Sequence, residues 1–97
     1  MAKVLVERRL RDVGSRLKRL REELEVTDEQ LTQLDDEADD ARIRALVSET
    51  PTAGREHAEA AGHAGAMRRH RMAVAEEIAQ LETAQDELLD RLQASQA

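Results

Sequence analysis

No cysteine, tryptophan, tyrosine or phenylalanine occurs in these 97 residues, and proline occurs once. Without cysteine, disulfide staples and thiolate metal sites are excluded, and the chain fits a reducing compartment, with the cytosol as the default location. Without aromatic rings there is no platform on which nucleic-acid bases could stack. Long apolar runs are missing too. The N-terminal Val4-Leu5-Val6 is too short for a signal-peptide core and far too short to span a bilayer, so no membrane association is expected. Strand formers are scarce.

What is present is charge and helix formers. Asp, Glu, Lys and Arg make up 37% of the chain, the formal net charge is −6, and Ala, Leu, Glu and Arg dominate. That is the profile of coiled coils and long helices. A chain this short forms one domain at most and buries a limited fraction of its apolar surface, so stability must come from a long seam or from a partner. Lys occurs only at positions 3 and 18, with Arg supplying the other positive charges, and Ala is abundant. This points to a GC-rich bacterial genome.

From Lys3 to Ser48 a strict heptad can be written. Its a positions are Lys3, Leu10, Leu17, Leu24, Leu31, Ala38 and Ala45, and its d positions are Val6, Val13, Leu20, Thr27, Leu34, Ala41 and Ser48. A 3-4 spacing kept this long is the period of a left-handed supercoil, and strand alternation cannot imitate it. It predicts helix 1 over about 3–48, roughly 70 Å long at about 1.5 Å per residue. Gly14 is its one intrinsically weak interior position. The break falls at Ser48-Glu49-Thr50-Pro51, where Thr50 can cap and Pro51 suits the first helical position. Helix 2 follows over about 51–94. Val74, Ile78, Leu81, Leu88 and Leu92 carry its stripe, Gln85 interrupts it, and Ala53, Ala60, Ala64 and Met67 extend it towards the turn, with His57 and Arg71 also on seam positions.

Two segments of nearly equal length joined by about three residues predict antiparallel neighbours. A chain that doubles back at Glu49-Thr50 places residues opposite each other when their numbers sum to about 101 or 102. Leu10 then meets Leu92, Val13 meets Leu88, Leu20 meets Leu81 and Leu24 meets Ile78; near the turn Ala38 meets Ala64 and Ala41 meets Ala60. Large meets large and small meets small. Charge agrees: the start of helix 1, rich in Lys and Arg, faces the wholly acidic charges between Glu76 and Asp90, and the acids between Glu22 and Asp40 face Arg68, Arg69 and Arg71. Flanking charges of opposite sign set orientation in coiled coils, whereas a parallel dimer of helix 1 would put like on like. The expected fold is therefore all-α, a single antiparallel coiled-coil hairpin of two long helices. One seam barely offsets the entropy of ordering such a chain, so the hairpin is expected to self-associate, as a homodimer in a four-helix arrangement.

The motifs that could carry chemistry favour structural readings. Asp35, Asp36, Glu37, Asp39 and Asp40 form the densest acidic run, but no glycine-punctuated loop exists to wrap oxygen ligands around a cation. His57, His63 and His70 never fall at i, i+4, so no helical zinc site is expected, and no cofactor either. The basic stretch from Arg8 to Arg21 is the one candidate nucleic-acid surface; the acidic end of helix 2 beside it and the negative net charge argue against phosphate binding. For catalysis, a two-helix hairpin offers no cavity in which a nucleophile and its base could be sheltered.

Three resemblances complete the reading. Leu20-Arg21-Glu22-Glu23-Leu24, with Asp28-Glu29-Gln30-Leu31 and Arg55-Glu56, is similar to the long first helix and following turn of helical chorismate mutases. That would imply a small helical enzyme, although the buried Lys and the Gln or Glu that hold substrate carboxylates there have no counterpart here. The architecture also resembles the helical-hairpin arms of Gre-type transcript-cleavage factors. Those carry paired acids at the tip to hold a metal ion, whereas the tip here, from Val47 to Thr52, has Glu49 alone. Finally, Val6-Glu7-Arg8-Arg9-Leu10-Arg11-Asp12-Val13, with Leu17-Lys18-Arg19-Leu20-Arg21-Glu22-Glu23-Leu24, resembles small uncharacterised coiled-coil proteins of actinobacteria. The leading expectation is a non-enzymatic helical interaction module, an adaptor or assembly protein. Its alternative is a regulator of the transcription or translation machinery acting through the hairpin tip. Ile43, Leu46 and Val47 lie off the seam beside the turn, and with Glu49 they are the expected partner-binding residues; Val4 and Leu5 at the open end join them.

Overall fold

A computed structural model of the chain describes residues 2–96. Two helices account for nearly all of them: α1, Ala2–Ser48, and α2, Pro51–Gln96. They pack against each other as an all-α helical hairpin, and no strand occurs among the described residues. No proline interrupts either helix, and Gly14 is absorbed in α1 without a break.

The turn is built from three local devices. α1 ends at Ser48 because Glu49 adopts a left-handed backbone, with φ 51°. Its N–H donates to the carbonyl of Ala45 at 3.1 Å, the single bond of an αL cap. Thr50 then caps α2, its hydroxyl accepting the Ala53 N–H at 3.1 Å while its carbonyl accepts the Gly54 N–H at 3.1 Å. Pro51 occupies the first helical position, where its missing N–H costs no bond.

Burial follows the heptad. Every a and d residue of α1 from Val6 to Ala45 is buried or half-buried, and the exceptions, Lys3 and Ser48, stand at the two ends. In α2 the same holds for the stripe from Ala53 to Leu92, including His57, Arg71 and Gln85.

Packing divides the chain into two compact units. The first joins the start of α1, to Leu24, with the end of α2, from Val74; the second is Glu25–Ala73 and contains the turn. The first holds the hydrophobic core: Leu17, Leu20, Val74 and Ile78 are buried together, with Val13, Leu24 and Leu81 packed on them. Val6 and Leu88 are also buried there. Ion pairs bracket this core, Arg16 donating from Nε and Nη2 to Glu77 at 3.1 and 2.9 Å, and Arg21 lying 3.6 Å from Glu82. Both match basic α1 with acidic α2, the polarity that the charge pattern calls for. Both are exposed, so each contributes only about 0–1 kcal/mol.

In the second unit the buried apolar residues are alanines, Ala41, Ala53 and Ala64, and the one buried polar residue is Thr27. Small side chains let helices approach closely but remove little apolar area from water per residue. The larger seam residues here, Leu31, Leu34 and Met67, are only half-buried. Arg68 reaches Asp35 at 2.8 Å, and Arg71 bonds to Asp28. The hydrogen bond to Asp28, and then that carboxylate's charge, hold the Arg71 guanidinium above its ordinary pKa.

Candidate interaction site

Ile43, Leu46 and Val47 occupy the last turns of α1, spaced three and four residues apart, which places them on one helical face. None is an a or d residue, so closure of the seam leaves them out. They are 52%, 66% and 79% exposed. The αL cap at Glu49 ends the helix directly after them, and Glu49 is itself exposed. Burying one such side chain fully is worth about 1.5–3 kcal/mol, so the trio can supply the anchors of a modest interface. In the first unit, Val4 and Leu5 are 55% and 58% exposed, while Val6 beside them turns into the seam.

Among the described residues no group of three His, Asp or Glu side chains is placed to hold a metal ion. In the acidic run Asp35 is engaged by Arg68, and Asp39 lies 4.0 Å from Arg42 of its own helix. His57 is half-buried on the seam, while His63 and His70 are exposed. No helix among the described residues is long and apolar enough to cross a membrane.

No family model matches the chain, and no curated protein and no solved structure matches it significantly. The surface itself must therefore carry the functional reading.

Sequence reasoning passed over part of that surface. Val26, Met72 and Leu89 are 53%, 65% and 45% exposed, and their places outside the a and d positions were the available signal. It also passed over a shallow cleft on one flank of the second unit. The heptad defines two flanks, one made of residues that follow a d position and one of residues that precede an a position. Asp28, Asp35 and Arg68 belong to the first flank, and the Asp35–Arg68 and Asp28–Arg71 pairs close it. On the second, Gln30, His63 and His70, together with Ala66 and the half-buried Leu34 and Met67, line a shallow cleft of about 400 Å³. No Asp, Glu, Lys or Arg stands among these six residues. A neighbouring hollow of about 300 Å³ continues it past Gln33 to Glu37.

Proposed function

We propose that this chain is a non-enzymatic helical protein–protein interaction module, an adaptor or assembly protein that works as a homodimer and seats a protein partner on its turn. The observation that carries the reading is the trio Ile43, Leu46 and Val47, apolar, contiguous on one helical face and more than half exposed. Water-exposed apolar patches of this kind are held at a cost in solubility, and partner contact is the commonest reason for keeping them. The trio's position also supports the reading. A patch on the last turns of a helix, beside a turn fixed by two caps, is presented in a single orientation, so little ordering entropy remains to be lost on binding.

The test is a pull-down with the intact chain as bait, followed by quantitative binding of the recovered partner. Leu46→Asp is expected to weaken that partner at least tenfold, because a carboxylate would be buried in an apolar contact, whereas Met72→Asp leaves binding unchanged. Equal binding by Leu46→Asp and the parent chain sinks the tip as the contact. A role as a regulator of the transcription or translation machinery uses the same tip and adds Glu49, an exposed residue with a left-handed backbone directly after α1. Loss of a ribosomal or polymerase partner on Glu49→Ala, with Leu46 intact, would select that reading.

A further inference from the structure

We infer that the protein seated on the turn is a second copy of this chain, docked through the opposite end of its own α1: the outer face at the start of α1 in one copy lies antiparallel on the outer face at the end of α1 in the other. The inference rests on the proposed function and joins its two parts, homodimer and occupied turn, in one contact.

Both faces are ones that the seam leaves out. The heptad positions furthest from a and d are b, c and f, so another helix can reach them without disturbing the hairpin. In the first unit these positions carry Val4, Leu5, Arg8, Arg11, Lys18 and Arg19, with Asp12 and Ser15 between them. In the second unit, over the last turns of α1, they carry Asp36, Asp39, Asp40, Ile43, Leu46 and Val47. All of these residues are exposed. Each face thus has an apolar end and a charged stretch, and the two stretches are opposite in sign. Among the described residues no ion pair engages Arg8, Arg11, Lys18, Arg19, Asp36 or Asp40, while Asp39 lies 4.0 Å from Arg42 of its own helix.

The order of residues along the helix identifies the occupant. Laid antiparallel, the two faces pair residues whose numbers sum to about 51, b meeting c and f meeting f. Val4 then lies on Val47 and Leu5 on Leu46, so the apolar ends coincide; Arg11 lies on Asp40, and Ser15 on Asp36, within a turn of Lys18. Asp12 opposite Asp39 is the like-charged match, and Arg8, Arg11 and Arg42 stand a turn or less from it. A slip of one heptad is penalised in either direction. One way it sets Leu46 and Val47 on Asp12 and Arg11, the other way Asp39 and Asp40 on Leu5 and Val4, and both bury charge against apolar groups. Parallel alignment sets base on base and acid on acid. Because α1 is one continuous helix, its own start cannot fold onto its own end, and the matching face has to come from another molecule.

Sedimentation velocity of the intact chain between about 1 and 100 µM tests this, with Arg11→Glu, Asp40→Arg, an equimolar mixture of the two, and Glu87→Arg. All three positions are exposed, so no substitution touches the seam, and Glu87→Arg on α2 changes the net charge as Asp40→Arg does. The parent should dimerise, and each of Arg11→Glu and Asp40→Arg alone should raise the dissociation constant at least about tenfold by setting like charges in contact. The mixture should return to within about threefold of the parent, because the new acid of one chain faces the new base of the other while native Arg11 faces native Asp40. Glu87→Arg should match the parent. A parent that stays monomeric at the highest concentration overturns the inference together with the homodimer. A dimer indifferent to both reversals, or a mixture no tighter than its components, overturns the inference and leaves the homodimer standing. Leu46→Asp separates the two readings of the turn: a dimer that withstands it while an external partner is lost overturns the inference and leaves the turn as that partner's seat.

Discussion

Replacing Leu20 by Ala should show what holds the molecule together. Leu20 is 1% exposed and packs with Leu17, Val74 and Ile78. The substitution removes three carbons, worth about 2.4 kcal/mol at about 0.8 kcal/mol for each buried methylene. The cavity left behind adds to this, and buried Leu→Ala changes generally cost about 2.7–5 kcal/mol. A core only two helices thick can close partly over the void, so a cost near the lower end, about 3 kcal/mol, is expected. Leu46→Ala is the matched control. Leu46 is 66% exposed, so about a third of the transfer energy is at stake, roughly 0.8 kcal/mol, and the better helix propensity of Ala offsets part of it. Urea unfolding followed by circular dichroism, at one fixed protein concentration because association shifts apparent stability, would measure both. At about 4–8 °C per kcal/mol for a chain of this size, Leu20→Ala should melt some 10–25 °C lower and Leu46→Ala within a few degrees of the parent. A Leu20→Ala cost below about 1 kcal/mol, or a Leu46→Ala cost equal to it, would refute the assignment of stability to the seam of the first unit.

Other outcomes follow from the turn, the glycines and the uneven core. Thr50→Ala should cost about 1 kcal/mol through the lost cap on the Ala53 N–H, whereas Glu49→Gly should gain up to about 1 kcal/mol by relieving a left-handed non-glycine residue; chemical denaturation distinguishes the two signs. At Gly14 an added Cβ would meet nothing within 4 Å, so Gly14→Ala should stabilise by about 0.5–1 kcal/mol, read as a higher melting temperature. Amide hydrogen exchange should be slowest around Leu17, Leu20, Val74 and Ile78 and faster from Glu25 to Ala73, where the buried apolar side chains are alanines. Uniform protection would contradict that difference.

Much of this was legible in the residues. The 3-4 spacing of Leu, Val and Ala identifies the seam, because a period of 3.5 leaves one stripe to bury. Thr50-Pro51 marks the start of α2, and the sign of the charges at the two ends of α1 selects the fold-back: Arg16 finds Glu77 and Arg68 finds Asp35. The exposure of Ile43, Leu46 and Val47 follows from their places outside the heptad's a and d positions.

Tertiary structure decided what periodicity cannot. It made Leu20 fully buried and left Leu34, an equivalent d residue, half open, because burial depends on the size of what lies opposite and alongside. It sent Arg71 from the seam out to Asp28, closing one flank with ion pairs and leaving the cleft around Ala66 on the other. A heptad fixes which stripe of a helix is buried. Only side chains meeting in three dimensions determine how completely, and which flank the Asp28 and Asp35 ion pairs occupy.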